Sequence, residues 1–293
     1  MTTAKTQNAR RGIMLMMSGV ILFGVMDTLV KLLAEDYNVI QIVWARFLFH
    51  FLIFLAIFSR SGLRRIAAAR RPGLQAARSF LLMSATVFFF FALSHLPLAD
   101  ATSIGFVSPL LVTALAIPIL GEKVGARRWS AIAVGFIGML VIIRPGMGVM
   151  HWAAVLPLGM AICFSCYQIL TRIAARSEDA RTSQMWSPAM GALVMSAIVP
   201  ITWTTPDALG WAMMMVVGLA GGFGHYLLIK AYEIAPASTL SPFVYTQLIW
   251  MVIFGYLLFD DFPDAFTIAG SCIVVGSGLY ILHRETLRAR QTS

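Results

Sequence analysis

Charge is scarce in this chain. Only 12% of its 293 residues are charged and 13 are acidic, whereas 59% are hydrophobic and the mean hydropathy is +0.82. Soluble domains carry about 25% charged residues, so a chain of this composition cannot cover itself with polar surface. Cysteine is scarce too. Cys163, Cys166 and Cys272 lie in apolar stretches, where a thiol acts as a small apolar group. The C-x-x-C spelling of the first two lacks the strand-to-helix setting of a redox motif. There is no H-E-x-x-H, G-x-S-x-G or D-x-D-x-D and no ATP-binding motif, so the sequence calls for no enzyme activity, no cofactor and no metal. The glycine run Gly218–Gly224 has no strand before it, and reads as helix packing rather than a phosphate cradle.

Long apolar runs are what the chain has instead. A spanning helix needs about 20 apolar residues. Ten segments fit, at 12–34, 39–58, 76–96, 100–120, 127–144, 150–172, 183–203, 209–230, 238–259 and 265–283. Their continuity excludes a membrane barrel, whose strands alternate apolar and polar residues. The basic N-terminus resembles the start of a signal peptide, but the apolar run after it is too long and no small-residue cleavage site follows. The net charge of +9 is a topology signal: 19 of the 22 lysines and arginines fall on the side that holds both termini. That bias predicts cytoplasmic N- and C-termini, and it removes the reason to expect a nucleic-acid partner. The one sizeable loop, Ser59–Arg78, is basic enough to lie on an anionic leaflet or simply to anchor topology.

A block of the chain occurs twice. Phe91–Arg144 aligns with Lys230–His283 at an offset of 139, pairing Ala92 with Ala231, Pro97 with Pro236, Phe106 with Tyr245 and Glu122 with Asp261. Offsets of 141 and 142 extend the pairing to Asp27 with Gln168, Lys31 with Arg172 and Trp44 with Trp186. Each half therefore has five helices, and an odd number makes the second half enter from the opposite side. The expected fold is an all-α membrane protein of ten helices in a 5+5 inverted repeat. Its parts are an N-tail (1–11), two repeats (12–144 and 150–283) and a C-tail (284–293).

The stretch ATSIGFVSPLLVTALAIPILGEKV at 101–124, followed by Trp129 and Gly135-x-x-Gly138, resembles the EamA-type repeat of the drug/metabolite transporter superfamily. SPFVYTQLIWMVIFGYLLFDDF from Ser241 is a looser copy, with Asp260-Asp261 where Gly-Glu is usual. The resemblance spans essentially the whole chain. It implies a ten-helix secondary carrier of the bacterial inner membrane, working by alternating access on a small-molecule substrate. Many members export amino acids, so export of a neutral or aromatic amino acid is the expectation. Carriers of S-adenosylmethionine, riboflavin or nucleotide-linked sugars are the alternatives. A channel, a membrane enzyme and a structural subunit are rivals without supporting motifs, and monomer and homodimer are both compatible with the sequence.

Charged groups inside a bilayer are costly and mark candidate sites. At 1.5 Å per residue, Asp27 lies about 6 Å and Arg46 about 4 Å to the outer side of the midplane. Such a pair either fixes helix 1 against helix 2 or opens to a substrate or proton. Lys31, near the outer interface, is expected to snorkel. His225 and His50 are either packing residues or proton carriers. Tyr245, Thr246 and Gln247 form a polar triplet near the middle of helix 9, with Phe106, Val107 and Ser108 as their repeat partners. Pro109 and Pro242 each free a carbonyl inside a helix, which suits a cavity wall. Tyr167 and Gln168 add a polar pair from helix 6. The triplet either lines a substrate cavity or ties helices together. The carboxylates Asp260, Asp261 and Asp264 are expected to be solvated turn charge.

Overall fold

A computed structural model describes residues 2–58, 68–121, 126–145, 152–175, 177–235 and 237–292. Glu122 and His151 lie outside the described residues. All regular structure among them is helical. The first half contains α1 (Thr2–Leu33), α2 (Val39–Phe58), α3 (Pro72–Leu93), α4 (Leu98–Gly105), α5 (Ser108–Leu120) and α6 (Ala126–Ile143). The second contains α7 (Val155–Ala174), α8 (Ala180–Ile198), α9 (Ala208–Ile234), α10 (Ala237–Val244), α11 (Thr246–Phe259) and α12 (Ala265–Thr292), with short 3-10 turns before α7 and after α8. Among the described residues, nine spans are long and apolar enough to cross a membrane, and a shorter apolar helix, Trp129–Ile143, supplies a tenth. Large apolar side chains such as Leu193, Ile201, Leu209 and Leu257 are exposed, as expected where lipid is the solvent.

The expected fourth and ninth helices are each broken in two. The first break falls at Phe106 and Val107, and the second at Tyr245, which are repeat partners. Pro109 has no N–H to give the Gly105 carbonyl, and the Ser108 hydroxyl supplies the missing donor at 2.6 Å. Pro242 lies inside α10, three residues before the second break. The two half-helices also end alike. Gly121 and Asp260, another pair at the 139 offset, both adopt left-handed backbone as C-caps, with φ of 70° and 55°. That conformation is natural for glycine and tolerated by aspartate. At the start of the second helix of each half, Asn38 accepts from the Ile40 amide and Asp179 from the Arg181 amide. The repeat thus reaches individual caps.

Packing obeys the same two-fold relation. The first helix of each half packs on the third helix of the other: α1 on α9, and α7 on α3. The second helix of each half does the same, α2 on α9 and α8 on α3, and α2 meets α8 directly. The last helices, α6 and α12, pair with each other through glycine. A Cβ on Gly270 would stand 2.6 Å from the Gly138 carbonyl oxygen, so the backbones are in contact there. Phe106 and Tyr245 meet edge to face at 5.1 Å, which puts both helix breaks beside the pseudo-two-fold axis.

Several boundaries differ from the sequence reading. Helix α1 begins within the tail expected at 1–11, and α12 runs on into 284–292, because nothing in either tail breaks a helix. Helix α3 starts at Pro72 rather than 76, since proline fits a first helical turn. Arg78, which stands both at the end of the expected loop and in the first turn of the expected span, is buried in the bundle.

Candidate functional site

Polar side chains converge inside the bundle from six helices. Asp27 (α1), Arg46 and His50 (α2) and Arg78 (α3) are 1–5% exposed. The Gln247 amide (α11) donates to Asp27 Oδ2 at 3.1 Å. Arg46 Nη1 donates to Thr86 Oγ1 (α3) at 3.0 Å, and its guanidinium lies over the Phe47 and Phe90 rings. The Tyr167 hydroxyl (α7) accepts from Arg78 Nη2 at 3.2 Å. His225 (α9) stacks on His50 with ring centroids 6.2 Å apart and packs edge-on against Phe23 at 4.9 Å. Glycines admit these groups: a Cβ on Gly222 would meet His50, and one on Gly218 would meet the α2 backbone.

The cluster leaves hydrogen-bonding capacity unused. Asp27 Oδ1, Arg46 Nε and both ring nitrogens of His50 are buried with no partner. Each such atom costs about 1–3 kcal/mol, a large sum beside the roughly 5–15 kcal/mol that stabilises a folded domain. Four of them lie on three side chains of this cluster. A groove of about 530 Å³ lies elsewhere. It lies between α11 and α12 and is lined by Pro242, Tyr245 and Thr246 of the expected site together with apolar residues such as Ile249, Val252, Ile268 and Val275. Such a wall suits lipid, and the buried polar cluster is the better candidate site.

Arg78 forms a second node nearby. Its guanidinium donates to Thr171, Gln75, the Ser183 carbonyl and the Tyr167 hydroxyl, joining α3, α7 and α8. Gln75 in turn donates to Ser183 at 2.8 Å, and Glu178 accepts from the Arg70 and Arg71 amides. These bonds close the end of the bundle that holds the termini. The opposite end is closed by Gln41, which exchanges two hydrogen bonds with Thr204, by Tyr37 against Asp207, and by Lys31 against Asp261 and the Leu96 carbonyl. Arg144 and Asp264 add an ion pair at 2.6 Å there. Between these two sets of contacts lie the buried side chains of Asp27, Arg46 and His50.

Several expectations need correction. Asp27 and Arg46 face the same cluster but form no direct ion pair: each bonds a neutral partner instead. Lys31 does not snorkel freely, because Asp261 and Leu96 hold it. Asp261 and Asp264 are latch partners rather than idle turn charge. Gln247, His225 and Tyr167 do join the cluster, and Gln168 sits half-buried on α7. The other residues of the expected site serve the helix breaks. Thr246 donates to the Phe243 carbonyl, Ser108 to the Gly105 carbonyl, and Phe106 packs on Tyr245. Arg78 and Thr86 were missed as site residues. The only sequence signal for Thr86 is its place opposite His225 in the repeat, and Arg78 read as loop charge.

Two inverted five-helix halves closing at both ends over a buried polar cluster define a membrane carrier. The EamA-like transporter family matches residues 10–144 and 151–282, and the chain belongs to that family. It is 27% identical over 259 residues to the S-adenosylmethionine uptake transporter of Rickettsia prowazekii, covering 88% of each chain. It is 28% identical over 242 residues to the riboflavin transporter of Brucella anthropi, covering 80% of this chain and 85% of that one. Identity is 24% over 273 residues to the pseudopaline exporter CntI of Pseudomonas aeruginosa, covering 91% and 94%. One solved structure superposes with a TM-score of 0.65 at 16% identity, covering 96% of this chain and 98% of the other, which supports the fold alone. The protein is thus a multi-pass membrane transporter of small metabolites.

Proposed function

We propose that this transporter carries a metabolite bearing an α-amino-acid head group, by alternating access between the two halves. The observation that carries this reading is the set of unpartnered buried atoms on Asp27 and Arg46. A free carboxylate oxygen, steadied by Gln247, suits an ammonium group, and a free guanidinium N–H suits a carboxylate. Held apart rather than joined, the two groups match the two charges of a zwitterion. Phe23, Phe90 and Tyr167 around them suit an aromatic or other flat side group. Amino acids have this head group, and so does S-adenosylmethionine, the substrate named for the rickettsial relatives. Riboflavin lacks it and is the second reading, favoured by the riboflavin transporters among the relatives.

The excess of basic residues at the end that holds the termini supports a cytoplasmic placement of both, in a bacterial inner membrane. Direction follows from the gradients on each side, and the relatives carry names of both kinds. The test is counterflow in proteoliposomes with labelled methionine, phenylalanine, S-adenosylmethionine and riboflavin. A carrier shows trans-stimulation, whereas a channel or a structural subunit shows none. Exchange of riboflavin alone would sink the zwitterion reading.

A further inference from the structure

We propose that the His50–His225 pair binds a proton together with the substrate's carboxylate, so that the protein moves both in the same direction as a symporter. The inference rests on the reading of Arg46 as the carboxylate site. A neutral imidazole has one donor and one acceptor nitrogen, and His50 is buried with neither satisfied. His225 lies parallel to it, with 16° between the ring planes. Charging both rings at that spacing would set like charges against each other in a low-dielectric interior, so the pair takes up a single added proton.

The surroundings decide when that proton binds. On α2, Arg46 lies one helical turn before His50, on the same face. On α9, His225 is the neighbouring titratable group. From α3 come the cation Arg78, buried in the adjoining node, and Thr86, neutral and held by Arg46. Asp27 on α1 is bonded by Gln247, and the Tyr167 hydroxyl on α7 accepts from Arg78. On α8, the titratable side chain among the described residues is Arg181, exposed at the helix start. With the site empty, the cations Arg46 and Arg78 oppose a proton on the pair. A carboxylate seated on Arg46 cancels the nearer of these fields and favours protonation. By linkage, the proton then favours the carboxylate to the same extent. Species that strengthen each other's binding are occluded together and released together. A substrate that brought only positive charge would instead exclude the proton and give antiport.

Two measurements test the proposal. In the first, purified protein carrying 15N-labelled histidine is titrated in detergent, with the His50 signal identified by its loss in H50Q. In R46Q, where the guanidinium charge is gone, the His50 titration moves to higher pH; an unchanged midpoint overturns the proposal. In the second, proteoliposomes holding a fluorescent pH indicator receive an inward gradient of the amino acid active in counterflow. The wild type acidifies the lumen, and H50Q carries fewer protons per substrate at whatever rate it retains. Lumenal alkalinisation, no pH change during active uptake, or an unchanged ratio in H50Q each overturns it. Counterflow without a pH gradient tests the zwitterion reading separately. If no probe exchanges, that reading fails and the histidine titration alone decides the proton site.

Discussion

Asp27 and Arg46 occupy the place where an internal ion pair was expected, and what each does instead sets the residue-scale predictions. If the two were a structural clamp, neutralising one would leave the other charge buried and unpaired, at about 3–5 kcal/mol. Each already has a neutral partner, Gln247 for Asp27 and Thr86 for Arg46. Asp27→Asn is therefore expected to keep wild-type folded yield and melting temperature while counterflow falls at least about tenfold, equivalent to 1.4 kcal/mol of lost substrate binding. Low yield with normal specific activity in the recovered protein would restore the clamp. Thr86→Ala removes the bond that orients Arg46. It is expected to weaken substrate binding several-fold, and less so for an analogue whose carboxylate is amidated.

At the scale of elements, the half-helices and the glycine contact carry the architecture. Ser108 supplies the donor that Pro109 cannot, so the two residues form a coupled pair. Ser108→Ala is expected to cost about 1 kcal/mol, the usual worth of a hydrogen bond. The cost should shrink when Pro109→Ala restores a backbone N–H for Gly105. A double-mutant cycle on thermal unfolding in detergent measures this coupling, and simple additivity would refute it. Where α6 and α12 touch at Gly138 and Gly270, a larger side chain must separate two backbones. Gly270→Leu is expected to destabilise the protein by about 1–3 kcal/mol, read as a lower unfolding temperature.

For the whole molecule, the two sets of end contacts oppose each other. Gln75→Ala with Glu178→Gln weakens the end that holds the termini, whereas Gln41→Ala with Tyr37→Phe weakens the other. Each variant loses at least two hydrogen bonds, and two of about 1 kcal/mol each shift a two-state balance by roughly thirtyfold. Labelling of a single cysteine placed at Gln168, from each side of a sealed vesicle, should move in opposite directions in the two variants. The Arg144–Asp264 pair belongs to the second set. Partial burial pushes the Asp264 carboxyl up, but the Thr267 amide and the Arg144 guanidinium hold it below the usual 3.8. A depressed carboxylate contributes fully above that value and is lost as pH falls through its folded pKa. Asp264→Asn should therefore change this end's accessibility equally at pH 6 and pH 8, and converge with the wild type only in strong acid.

Much of this architecture is legible in the sequence because it depends on local or periodic signals. Hydropathy reports span length, since the bilayer sets one thickness for every helix. The 139-residue offset reports the repeat, and the odd helix count reports its inversion. Proline marks both helix breaks, because the missing N–H is a property of the residue itself. Asp27, Gln247, His225 and Tyr167 stand out as polar groups in apolar runs. Which of them meet is a different matter. Asp27 and Gln247 are 220 residues apart, and only the crossing of α1 with α11 pairs them. Arg78, at the junction of the basic loop and the third span, passes for loop charge until the packing of α3 on α7 and α8 buries it. Arg46 looks like the partner of Asp27 because charge and depth agree, yet depth leaves the facing direction of each side chain open. Sequence by itself determined the number of spans, their symmetry and the residue types brought into the bilayer. The tertiary structure decided the pairing of those residues, because the packing of helices from opposite halves alone sets which side chains come within hydrogen-bond reach.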